Sequence, residues 1–297
     1  NATAVTTVTA TDADLPAQTL TYSIIGGADS AKFSINSSTG ALTFVSAPDY
    51  ENPTDAGANN IYNVTVQVSD GSFTDSQAIA VTVTNVVSEL VVTTTADTVD
   101  GNTSSIANLN LNKGADGKIS LREAILAANN TAGADIITFS IGSGAHTINV
   151  LSALPQITTD IYIDGTSQPG FAGAPLIELN GAAALNPSLV GLVFSNGSSG
   201  SAVRGLVIDG FTSSGIQILS TSGITVAGNY LGTNLAGTAA SGNQVGVFIN
   251  DSSNNVIGGT TATDRNVISG NTVDGIQIFG GAATGNVVEG NYIGLDA

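Results

Sequence analysis

The chain has 297 residues with only six Lys or Arg against 23 Asp or Glu, a formal net charge of −17, and no Cys. That balance excludes nucleic acid and anionic lipid surfaces as partners, because phosphate recognition needs clustered cations. Without an apolar run of ~18 residues nothing is expected to insert into a membrane, and without Cys there is neither a disulfide nor a thiolate metal site.

The length suggests about two domains. Asn1 is not a translation start and no leader pattern precedes it, so the sequence reads as a processed protein or a piece of a larger one. Abundant Gly, Thr and Asn, few charges, and sequons at Asn36-Ser37-Ser38 and Asn63-Val64-Thr65 suit an extracellular β-rich surface protein.

From residue 5 to about 85, short β-branched runs alternate with turn signals: Val5 to Thr11, Thr19 to Ile24, Ala41 to Val45, Tyr62 to Ser69 and Ala78 to Thr84. The last two place apolar residues at every second position, as strands with one wet face require, and a β-sandwich of six or seven strands is predicted. Its acids gather at strand ends and loops: Asp12 and Asp14, Asp49 and Glu51, and Asp70 before Gly71. Carboxylates brought to one pole repel one another, and a hard cation with six to eight oxygen ligands would neutralise them; Asp-x-Asp and Asp-Gly also serve simply as turns.

Five ordered motifs carry a family resemblance: Thr9 to Asp14, Thr19 to Ile24, Phe33-Ser34-Ile35 with Thr39-Gly40, Asp49-Tyr50-Glu51, and Val66 to Gly71. Together they resemble the bacterial cadherin-like repeat. The resemblance implies an Ig-like sandwich with Ca2+ at its poles. Asp12, Asp14 and Asp70 would face a preceding domain, and Asp49 and Glu51 the domain that follows, so neighbouring domains of the same chain are implied partners. Where the family continues into an Asp-containing linker, this sequence has Thr84-Asn85-Val86-Val87.

Three regions are predicted: a sandwich over 1–87, a linker strand and β-helix cap over 88–135, and a repeating region over 136–297. In the middle region Leu121, Ala124, Ile125 and Ala128 follow helical spacing, and Ser120-Leu121-Arg122-Glu123 forms a capping box. The same stretch also reads as a degenerate calcium loop, with Asn112, Asp116, Lys118 (through its carbonyl), Ser120 and Glu123 as ligands. Ile119 to Ile125, with Ala127 to Asn129 after it and Asp97 to Gly101 before it, resembles the CSLREA-type segment of large bacterial surface proteins. Ile119 stands where that family has Cys, so packing must replace any covalent tie. The resemblance implies a right-handed parallel β-helix downstream, and extends through Asp135 to Phe139 and Ile163 to Gly170.

Self-comparison supports that topology independently. Val207 to Gly210 and Gly215 to Ile218 recur 60 positions later, Gly228 to Gly232 recurs after 62, and Gly246 to Ile249 falls between the two Gly-Ile-Gln-Ile copies. Short strands with Gly-Asn corners and a period near 30 define a coiled β-solenoid. Ile216, Val247 and Ile276, and Ile218, Ile249 and Ile278, are expected to stack inward, with Asn229, Asn271 and Asn291 at corners. The helix near residue 121 would cover one end. The last motif stops without a cap, which predicts further coils or a docked chain.

β-Helices host polysaccharide lyases, hydrolases and epimerases, but the outward charges (Arg204, Asp209, Asp251, Asp264, Arg265, Asp274, Glu289) and the lone His146 show no convergent spacing. Tyr230 and Tyr292 occupy equivalent repeat positions and offer a sugar-stacking surface or corner packing. The expected function is therefore a segment of a bacterial cell-surface adhesin or fibre protein, a calcium-stiffened spacer plus β-helical display surface. Its expected partners are a glycan or cell-surface receptor, or another copy in homotypic end-to-end assembly. A carbohydrate-processing enzyme and a self-assembling filament subunit are the alternatives.

Overall fold

The alternation in Ile61–Ser69 sets the first unit: Tyr62, Val64 and Val66 point inward and are buried, while Asn63 and Thr65 face outward or sit at the margin. The computed structural model describes residues 3–12, 16, 18–48, 50, 53–84 and 87–294. Contacts divide the chain into Asn1–Val86 and Val87–Ala297, and each unit is described by itself.

The first unit is a sandwich of two antiparallel three-stranded sheets. One carries Ala4–Thr7, Ala41–Phe44 and Phe33–Ile35; the other carries Thr21–Gly26, Ile61–Ser69 and Thr74–Thr82. Phe33 stacks on Phe44 with ring centroids 4.6 Å apart, and Tyr62 meets Phe44 edge-on at 5.1 Å, a geometry that adds to simple area burial. The Tyr62 hydroxyl reaches the rim and accepts from the Thr54 N–H at 3.1 Å.

The second unit is a parallel β-helix with three sheets. Its first sheet stacks Ser88–Val92, Asp135–Phe139, Ile161–Asp164, Ala202–Arg204, Thr225–Ala227, Val256–Gly258 and Val287–Glu289. One inward column runs Leu90, Ile137, Ile163, Val203, Val226, Ile257, all fully buried. The third sheet stacks the aliphatic ladders expected from the repeats, Ile216 on Val247 on Ile276 and Ile218 on Ile249 on Ile278. Ser88–Val92, which the sequence reads as a linker strand, is the first rung: it pairs in parallel with Asp135–Phe139 through five residues, because Leu90 and Val92 belong to the solenoid core.

The leading Gly of the repeated motif has a steric origin. A Cβ on Gly191, Gly215 or Gly246 would press on the carbonyl oxygen of Gly215, Gly246 or Gly275 one coil on. These stacked backbones pass too closely for any side chain.

Buried Asn side chains form three ladders between coils, not the single one that Asn229, Asn271 and Asn291 suggest. Asn229 bonds Asn266, which bonds Asn291; Asn243 bonds Asn271; Asn255 bonds Asn286. Asn271 stands in a different column from Asn229 because each coil turns three corners and the 60-residue period spans two coils.

Two helices cover the start of the core. α1 (Ile106–Leu111) and α2 (Leu121–Asn129) bury Ile106, Leu109, Leu121, Ala124, Ile125 and Ala128 in one cluster with Leu90 and Val92. With only six residues, α1 is too short for its periodicity to register in sequence; Ser105 caps it by accepting from the Asn108 N–H at 3.1 Å.

Candidate functional site

In the first unit Asp12 and Asp70 line one depression of about 220 Å³, joined by Asp75, which sequence reasoning missed. Asp75 is the second residue of the strand Thr74–Thr82, shortly after the Asp70-Gly71 turn, and that proximity was its only signal. Asp70 Oδ1 accepts from the N–H groups of Ser72 and Phe73, both at 2.6 Å. These bonds, Phe73 first, hold its pKa below the ordinary carboxylate value. Asp12 Oδ2 accepts from Gln18 N–H at 2.7 Å and Asp75 Oδ1 from Ser76 N–H at 2.8 Å.

Asp70 and Asp75 thus each commit one oxygen to local backbone. The donor set is all oxygen, which suits a hard cation. Among the described residues, however, no three acidic or imidazole groups converge tightly enough to hold a metal. Asp14, Asp49 and Glu51 lie outside the described residues.

Two other buried acids of this unit serve the backbone. Asp29 accepts from Ala56 N–H at 2.6 Å and Asn63 N–H at 2.8 Å. Asp55 gathers the N–H groups of Gly57, Asn59 and Asn60. Burial alone would raise the Asp55 pKa, but the N–H groups of Asn59 and Asn60 outweigh it and the value falls. Both acids pin the loop before Ile61–Ser69.

In the second unit the segments 97–101 and 119–125 lock onto each other. Ser120 accepts from Glu123 N–H at 3.2 Å, and Glu123 Oε2 accepts from Ser120 N–H at 2.9 Å, completing the capping box. Glu123 Oε1 reaches across to the N–H groups of Asp100 and Gly101 at 2.9 and 2.7 Å. Arg122 forms a two-point ion pair with Asp97 at 2.9 and 2.8 Å and also donates to the carbonyls of Ser152 and Ala153. Ile119 is buried and exchanges hydrogen bonds with Thr93, its N–H donating to the hydroxyl and its carbonyl accepting from the N–H, so bonding as well as packing holds it.

Glu123 is buried and engaged in this cap, whereas Asn112, Asp116 and Lys118 lie on an exposed loop. Asn112 Oδ1 accepts from Gly114 N–H and Asp116 Oδ1 from Lys118 N–H. Ser120 and Glu123 meet in the capping box.

The outward charges of the β-helix fall into separate settings. Arg204 pairs with Asp264 at 3.4 Å and donates to the Thr263 carbonyl. Both Arg204 and Asp264 line a depression with Tyr162 and Glu289, floored by small residues such as Ala202 and Gly258. The Tyr162 pKa is raised, by burial first and by Asp164 next. Asp209 is buried and accepts from the Asn180 amide at 2.9 Å; desolvation pushes its pKa up to about 6, with Glu178 adding repulsion. Asp251, Asp274 and Glu289 are exposed, and His146 opens the strand His146–Asn149.

Residues 1–88 match the Cadherin domain family model. The match covers the first unit, and no CSLREA or β-helix family matches the remainder. No curated protein matches the chain. The likeness points to an extracellular adhesion-type module, a class whose members generally bind Ca2+. No helix among the described residues is long and apolar enough to cross a membrane.

Proposed function

We propose that the chain is a segment of a bacterial cell-surface adhesin or fibre protein, with a calcium-stiffened spacer in residues 1–88 and a display surface in the β-helix. The observation that carries this reading is the Cadherin match, combined with the shared depression of Asp12, Asp70 and Asp75. Like charges at one depression repel, so a bound Ca2+ stabilises the folded pole and makes stability depend on free cation. Asp14, and oxygen donors of a neighbouring domain, complete the coordination; Asp49 and Glu51 contribute to a second site.

The β-helix contributes repetition. Each coil presents the same outward columns, so weak contacts made coil by coil gain from effective concentration rather than from a single deep pocket. A glycan or receptor on another surface, or a second copy of the chain, is the partner this geometry serves.

Calcium titration of the full chain, followed by calorimetry and thermal unfolding, tests the spacer. Calcium is expected to raise the transition of the first unit by several degrees, chelator to reverse the rise, and Asp70→Asn to abolish most of it. Identical melting in calcium and in chelator would reject the calcium-stiffened spacer.

A further inference from the structure

After residue 122 the chain has two cationic side chains, Arg204 and Arg265, and both line one outer groove of about 450 Å³ on the β-helix. In a chain of net charge −17 that placement concentrates positive potential where the rest of the surface offers little. The groove wall is aromatic as well: Phe171, Tyr230 and Tyr292 line it. Tyr230 and Tyr292 belong to one register column, Val207, Tyr230, Val267, Tyr292, and stand two rungs apart, about 9.6 Å at the usual strand spacing.

The two arginines are held differently. Arg204 is paired with Asp264. Arg265 makes no ion pair among the described residues; its Cζ lies 4.4 Å from the Tyr292 ring centroid, Nε donates to the Gly290 carbonyl at 3.1 Å, and Nη1 donates to the Tyr292 hydroxyl at 3.2 Å. Those contacts fix the guanidinium plane while its charge remains unmatched by a carboxylate. A planar, oriented guanidinium is the group best suited to a two-point bond with a carboxylate. Tyr292 is occupied by Arg265, whereas the half-buried rings of Tyr230 and Phe171 offer apolar faces beside it.

We propose that this groove binds an acidic saccharide, its carboxylate on Arg265 and the C–H face of its sugar ring on Tyr230. Neutral sugars would gain the stacking alone, and small anions the charge alone, so the combination selects a uronic-acid-bearing chain. The inference rests on the β-helix being a binding surface and is independent of calcium at the first unit.

Titrating the full chain in chelator-containing buffer with tetragalacturonate, followed by tyrosine fluorescence and backbone amide shifts, keeps the two readings separate. Saturable binding is expected, at least tenfold tighter than for the methyl-esterified tetramer, with shifts at Gly228 to Tyr230 and at Arg265. Arg265→Gln should weaken it at least tenfold, Arg265→Lys less, and Tyr230→Leu should weaken acid and ester alike, all with wild-type melting temperatures. Equal affinity for acid and ester, undiminished binding by both Arg265→Gln and Tyr230→Leu, or no saturable binding at millimolar ligand would overturn the proposal.

Discussion

Glu123→Ala is expected to destabilise the β-helix unit by about 3–5 kcal/mol. The carboxylate is 2% exposed, and it accepts from the backbone N–H groups of Asp100, Gly101 and Ser120. Removing it leaves the buried Ser120 N–H and the part-buried bonds of Asp100 and Gly101 without their acceptor and releases the 97–101 segment from α2. Glu123→Gln keeps one acceptor oxygen but turns an NH2 group toward N–H donors on the other side, so about half of the loss should remain. Denaturant unfolding of the full chain, monitored at the second transition, measures both. A Glu123→Ala protein within 1 kcal/mol of wild type would show that the clamp contributes little.

Asn266→Ala should cost about 3 kcal/mol, by a different route. Asn266 is fully buried and central to its ladder: Oδ1 accepts from the N–H and Nδ2 of Asn229 at 2.9 and 3.1 Å, and Nδ2 donates to the Val226 carbonyl at 2.7 Å and to Asn291 Oδ1 at 2.9 Å. Truncation strands the Asn229 N–H and the Val226 carbonyl on the preceding coil and breaks the bond to the Asn291 amide on the following one, and in a solenoid each coil is held only by its neighbours. Asn266→Asp should be at least as harmful, since a carboxylate cannot donate to Val226 or Asn291. Hydrogen exchange at Leu206, whose N–H donates to Asn229 Oδ1 at 3.0 Å, should speed up in both variants, while exchange in the first unit stays unchanged. Uniform exchange rates across wild type and variants would contradict the ladder's role.

Much of this architecture is legible in the residues, because it is repetitive. A period near 30 repeated in Gly215 to Ile218, Gly246 to Ile249 and Gly275 to Ile278 leaves few alternatives to stacked coils, and the alternation in Ile61–Ser69 leaves few to a sandwich strand. What sequence could not supply was registration between distant segments. Asp97, Asp100 and Gly101 meet Arg122 and Glu123 only because two rungs of the first sheet flank the helices, and nothing in local spacing announces contacts across 22 to 25 residues. Asn266, preceded by Arg rather than Gly, falls outside the Gly-Asn corner pattern, so the middle of its ladder was missed. The groove was hidden for the same reason: Phe171, Arg204, Tyr230 and Arg265 are far apart in the chain and converge through coiling alone.

The central claim is that successive coils stack in parallel and in register, and a chain without Cys allows a direct covalent test. Gln217 and Phe248 are register partners on adjacent rungs, while Gln217 and Gln277 are two rungs apart, about 9.6 Å and beyond the reach of a disulfide. Disulfide formation is to be measured under mild oxidation in the Gln217→Cys, Phe248→Cys double variant and in the Gln217→Cys, Gln277→Cys variant. Stacked coils predict rapid, near-complete intramolecular bonding in the first and none in the second. A first pair that stays reduced, or a second that closes as readily, would contradict the β-helix and the display function built on it.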